Sequence, residues 1–143
     1  METMSSDARS SVEAYVDGTT VVFIPRSDLT EEHLKQYLTC CEQVIAKAGY
    51  YTSLIDISQL GVISSGVRKR AVEWARRQPV ISSQIALFGG NAVRKTLVML
   101  LLRAVQILAG KALNVRFFGT EAEARAWLAA DSERAQKMSA DRP

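Results

Sequence analysis

The 143 residues suffice for one domain with a full core and are too few for two ordinary ones. With 48% hydrophobic and 23% charged residues, the composition is that of a soluble globular chain. A net charge of +3 is too small by itself to argue for nucleic acid, so local clustering matters more than the sum.

Residues 1–11 are small and polar, carry no signal-peptide pattern, and read as a disordered lead-in. The domain is expected over 12–130, with 131–143 as a polar, fraying tail. Val12 to Val16 and Thr20 to Ile24 are rich in strand formers, and Asp17-Gly18 between them signals a hairpin. Asp28 or Thr30 can cap the first helix, whose apolar stripe is Leu34, Tyr37, Leu38, Cys41, Ile45 and Ala48. Gly49 ends it. Cys41 lies within the stripe and reads as a small buried hydrophobe. The adjacent Cys40 and Cys41 cannot form an ordinary disulfide, so two reduced thiols in a cytoplasmic protein are expected. Cys40 and His33 share a flank, but nothing supplies the orienting group or oxyanion donors that a nucleophilic pair needs.

Leu54, Ile55 and Ile57 read as a central strand, with Asp56 near its end serving to bond the following loop. Ser64-Ser65-Gly66 opens the second helix, which stops at Pro79. Val67, Ala71, Trp74 and Ala75 are its inward side. Arg68, Lys69, Arg70, Arg76 and Arg77 form a basic face that reads first as solvated, the alternative being a surface for an acidic partner or anionic lipid. Gln84 to Phe88 is a short buried strand, and Gly89-Gly90-Asn91 turns into the third helix. With Arg94 and Lys95 that turn could hold an anion, but it lacks a phosphate-loop or dinucleotide fingerprint and reads as turn chemistry.

The third helix, Ala92 to Ala109, is apolar around most of its circumference, yet Lys95, Arg103 and Gln106 rule out a membrane span of ~20 apolar residues. Val93, Leu97, Leu100, Leu101, Ala104 and Leu108 are expected to face the core. Val98, Met99, Leu102 and Val105 then remain as surplus surface for a second subunit, a protein partner, lipid or another helix of the same domain, with a homodimer or partner interface read first. Asn114 to Phe118 is the last strand. Thr120-Glu-Ala-Glu123 is a capping box for the last helix, with Ala124, Trp127 and Leu128 inward.

The order ββαβαβαβα predicts a single α/β domain: a mixed, mainly parallel five-stranded sheet with four helices and an antiparallel edge. Asp56-Ile57-Ser58 followed by Ser64-Ser65-Gly66-Val67 resembles the STAS domain of bacterial anti-sigma factor antagonists. Glu73-Trp74-Ala75-Arg76-Arg77, the apolar third helix and the ending Val115 to Leu128 are closer still to its SpoIIAA-like branch. The resemblance spans about 12–130 and implies a regulatory or protein-interaction module. The thiols add a cytoplasmic setting, and the lack of a catalytic or ligating constellation adds a non-enzymatic role with no metal or other cofactor. The surplus apolar face of the third helix adds a homodimer or partner interface. The resemblance also matches Ser64 to the family's phosphorylated serine, where phosphate would make an anti-sigma antagonist switch. Ile63 stands where that family has an acid, so a helix cap is the first reading of Ser64 and Ser65. The alternative from another class is a small-ligand or lipid-binding module with a pocket beneath the third helix. No catalytic constellation and no nucleic-acid recognition motif is present in the sequence.

Overall fold

The computed structural model describes residues 12–78 and 84–140, with side chains between 13 and 130 of those ranges. Strand β1 (Val12–Asp17) turns into β2 (Thr20–Pro25). Asp17 pairs with Thr20, so the two-residue turn is Gly18-Thr19, one position later than the Asp17-Gly18 signal suggests. Gly18 alone takes positive φ (67°), the pattern of a type II′ turn with glycine first. Then follow α1 (Glu31–Ala48), β3 (Thr52–Asp56), α2 (Ser65–Arg77), β4 (Ile85–Phe88), α3 (Ala92–Leu108), β5 (Val115–Phe118) and α4 (Glu121–Ala140). The last helix runs past residue 130, where the sequence reading begins a tail; the lead-in 1–11 lies outside the described residues.

The five strands stand side by side in chain order, β1 antiparallel to β2 and the rest parallel. When successive parallel strands step in one direction with crossovers of one hand, every crossover helix falls on the same side of the sheet. The side chains sort accordingly. One cluster joins Val21, Phe23 and Leu87 of the sheet to Leu34 and Cys41 of α1, Trp74 of α2, and Val98 of α3. The other joins Val22, Leu54 and Ala86 to Ala124 and Leu128 of α4.

Local chemistry fixes the helix ends. Thr30, not Asp28, caps α1, its hydroxyl accepting from the His33 N–H at 3.3 Å. Asn91 caps α3 through the Arg94 N–H at 2.9 Å. At α4, Thr120 Oγ1 accepts from the Glu123 N–H and Glu123 returns the bond to the Thr120 N–H, both at 3.2 Å, the capping box read from the sequence. Gln78 is extended (φ −92°, ψ 130°), as a residue before proline must be.

The two sides of the sheet are covered differently. Helix α4 lies close on β3, β4 and β5, and α1 lies close on β1 and β2. Helices α2 and α3 pack on each other instead and make few close backbone approaches to any strand. Bulky rings stand beneath this side: Phe23 against Tyr37 at 4.8 Å and Tyr51 against Trp74 at 6.5 Å between centroids.

Candidate functional site

The space beneath α2 and α3 is incompletely filled. A cavity of about 110 Å³ lies between the sheet and the three crossover helices. Phe23, Ile55 and Leu87 form its floor on the strands. Its roof and walls come from Leu34 and Leu38 of α1, Ala71 and Trp74 of α2, and Val98, Leu102 and Val105 of α3. Ile55, in the middle of the central strand, is only half-buried although its neighbours Phe23 and Leu87 are buried. No charged side chain lines the space. The polar atoms of its aromatic walls are turned to partners: Tyr37 Oη and Ser53 Oγ are 2.5 Å apart, and Trp74 Nε1–H donates to Glu42 Oε2 at 2.8 Å.

This placement corrects the reading of α3. Val98 and Val105 are buried and Leu102 is half-buried, all three facing inward over the cavity, so they are not the free interface expected of them. Met99 is half-buried as well. The helix is turned by about one residue step, ~100°, from the expected orientation. Side-chain hydrogen bonds to backbone carbonyls hold that angle. Arg94 Nε donates to the Leu60 carbonyl at 2.8 Å, and Gln106 Nε2 donates to the Leu113 carbonyl at 3.3 Å. From α2, Arg76 Nε reaches the Leu108 carbonyl at 3.0 Å. The outward surface is instead a seam of Val93, Leu100 and Ile107, seven residues apart, with Leu108 beside it and the half-buried Leu97 and Ala104 along its edge. Val93, Leu100, Ile107 and Leu108 are 67%, 58%, 75% and 53% exposed. Arg103 is exposed on the same helix, which contains no acidic residue.

The Ser64 turn is pinned to the loop before α1. Gly61 N–H donates to the Ser27 carbonyl (3.0 Å), Val62 N–H to Asp28 Oδ1 (2.8 Å), Leu29 N–H to the Val62 carbonyl (2.8 Å), and Ser64 N–H to the Leu29 carbonyl (3.3 Å). Ser64 occupies the cap position of α2, but its side chain makes no capping hydrogen bond, contrary to the first reading; both serines are exposed. The acid absent before Ser64 in the sequence is supplied in space by α1. A Cβ on Gly66 would meet the Glu31 carboxylate, and Glu31 Oε1 accepts from Arg70 Nε at 3.2 Å. A carboxylate already sits at the positive end of α2, so phosphate there would meet like charge.

Other candidates resolve into structural roles. Asp56 Oδ1 accepts from the Ser58 N–H at 2.9 Å, the loop bond expected of it. At the Gly89-Gly90-Asn91 turn, a Cβ on Gly90 would meet the Ile57 side chain, so the concavity that an anion would need is filled. His33 and Cys40 are seven residues apart on α1, about 10 Å along its axis, too far for a nucleophile pair. Burial pushes the Cys40 thiol up, and the Cys41 thiol up to about 12, so both are held protonated. On the basic surface, Arg70 and Arg76 are engaged by Glu31 and Leu108, while Arg68, Lys69 and Arg77 are exposed. Among the described residues no cluster of metal-ligating side chains occurs, and no helix is long and apolar enough to cross a membrane.

The fold agrees with that of a known structure. None of the curated proteins matches the chain in sequence. The structure of an uncharacterized DUF3478-family protein with a SpoIIAA-like fold, from Shewanella loihica PV-4, is similar with a TM-score of 0.63. That likeness covers 82% of this chain and 94% of that one at 16% identity, and so speaks for the fold alone. The SpoIIAA-like family model matches residues 20–129, from β2 into α4, and on that match the chain belongs to the SpoIIAA-like family.

Proposed function

We propose that the protein is a non-enzymatic regulatory or protein-interaction module that associates through the outer seam of α3. The carrying observation is the exposure of Val93, Leu100, Ile107 and Leu108 along one line of a helix whose other side already meets the core. Apolar surface in such a continuous strip marks an association site. Its rim is basic, with Arg103 on α3 and Arg76 beside Leu108. Two copies joined seam to seam would bring these cations together, so the charge favours a partner helix with an acidic rim over the homodimer expected from the sequence. Both thiols held protonated and Asp56 committed to its loop support a non-enzymatic role. A cytoplasmic setting is part of the proposal, supported by the free thiols. Ser64 and Ser65 are exposed enough for a kinase, but the Glu31 carboxylate at the same helix start weighs against a phosphoserine switch as the main device.

Sedimentation velocity across a concentration series, at low and high salt, tests the seam. Leu100→Glu and Ile107→Glu are expected to abolish any self-association or partner binding of the native chain while leaving its fold intact, since both side chains are exposed. Association unchanged in both variants would reject the seam. A dimer insensitive to salt would return the homodimer to first place.

A further inference from the structure

We infer that the open edge of β5 is a docking site for an extended acidic segment of a partner protein, which adds to the sheet as a further strand. The backbone supplies the template. β5 is the last strand in the sheet order and pairs on one side only, with β4. Ile85 N–H donates to the Asn114 carbonyl at 2.9 Å, and the register sets Ile85 against Val115. Successive residues of a strand turn their N–H and C=O groups to opposite edges, so Arg116 serves β4 while Val115 and Phe117 present theirs outward. Such a row of groups is what an added strand pairs with.

Charge selects the occupant. Lys95, on the side of α3 nearest β5, lies 5.9 Å from the centre of the Phe117 ring, and Arg103 follows two turns later on that helix. Arg116 projects from the other face of β5, 6.0 Å from the Phe118 ring and 5.8 Å from that of Trp127. None of these three cations has an acidic partner among the described residues. The opposite edge strand is built differently: on β1, Glu13 is paired with Arg26 and Asp17 with Arg125. A second copy joined β5 to β5 would bring Arg116 close to Arg116, and like charges across a strand pair are destabilising. An acidic strand gains where a second copy loses. Its apolar residues at alternate positions continue the layer of Val115 and Phe117, which are half-buried against the core. Its acidic residues between them meet Arg116, with Lys95 and Arg103 adding attraction from above. This edge is a surface separate from the α3 seam and does not rest on it.

NMR amide exchange of the full chain, isotope-labelled and titrated with a short synthetic peptide of alternating glutamate and valine, tests this. Saturable binding is expected, with exchange slowed at the Val115 and Phe117 amides and unchanged at Arg116, whose N–H is already taken by β4. A peptide of alternating lysine and valine should not bind. Arg116→Glu should weaken binding at least tenfold. Val115→Pro should weaken it too, since it removes an outward N–H at a place that an edge strand tolerates. The proposal is overturned by any of four results: no saturable binding, equal binding of the lysine peptide, protection confined to the α3 seam, or binding unaffected by both substitutions. Protection of Val115 and Phe117 that rises with protein concentration in the absence of peptide would also overturn it, in favour of a second copy. Leu100→Glu, which tests the seam, should leave peptide binding unchanged, so the two readings fail separately.

Discussion

The two sides of the sheet solve the same problem with different precision. On the α4 side, Ala86 and Ala124 are completely buried and let helix and strand approach closely, with Leu54 filling the contact between them. On the side of α1, α2 and α3, the contacts are made by large rings and long aliphatic chains, the helices stand further off, and about 110 Å³ is left empty. A small-residue interface is close-packed at low cost in space, whereas bulky residues from four directions must interdigitate to avoid a void. The comparison assigns stability chiefly to one side and room for function to the other. Each side carries one of the two tryptophans, Trp127 and Trp74, so each can be followed separately.

The largest expected effect is on the tight side. Leu54 is 0% exposed, and Leu54→Ala should cost ~4 kcal/mol of stability, measured by urea unfolding, because its neighbours cannot close the gap. A loss below ~2 kcal/mol would mean the α4 side is as loosely packed as the other. Overpacking gives the next largest effect: Ala86→Leu forces a longer side chain into a filled interface and should cost ~2 kcal/mol. Trp127 fluorescence should report that disturbance before Trp74 does.

Alkali should attack the opposite side. The buried Cys41 thiol has its pKa raised from 9.0 to about 12 by desolvation, and Tyr37 beside it is raised for the same reason. The protonated thiol is the form that the fold accommodates, so its contribution is intact below pH 9. Above that the unfolded chain ionises and the folded chain does not, and stability falls until the folded thiol itself ionises near pH 12. One unit into that window, at pH 10, the loss should be ~1.4 kcal/mol, and Cys41→Ala should remove most of this slope. The buried members of the α4 cluster, Val22, Leu54, Ala86, Ala124 and Leu128, include no titratable group. A pH profile unchanged in Cys41→Ala would place the alkaline weakness elsewhere.

The sequence carried the element order, the mixed sheet, the Thr120–Glu123 capping box and the Asp56 loop bond, because each is set by neighbouring residues. It did not carry the angle of α3. Polar contrast tells a reader which side of a helix faces inward, and this helix has apolar residues at nearly every angle. The choice was made by Arg94 reaching Leu60 and Gln106 reaching Leu113, of which the first spans 34 residues. Nor could sequence show that Glu31 takes the place of an acid missing before Ser64, since that depends on α1 lying against the start of α2. A pocket beneath α3 could be named as an alternative, but a void is a sum over many side chains and has no local signature.

The smallest expected effect is the one that tests whether the void persists in solution. Ala71 lines the cavity and is partly exposed, so a leucine there can extend into empty space without displacing a neighbour. Added methylenes that bury fresh surface in an existing gap should stabilise the chain by ~1 kcal/mol, opposite in sign to Ala86→Leu across the sheet. The two substitutions add the same atoms, so their opposite signs would measure the packing difference directly. If Ala71→Leu destabilises instead, the walls have already closed in solution and the two sides are equally dense. If it stabilises, the native chain forgoes that packing energy and leaves the space open.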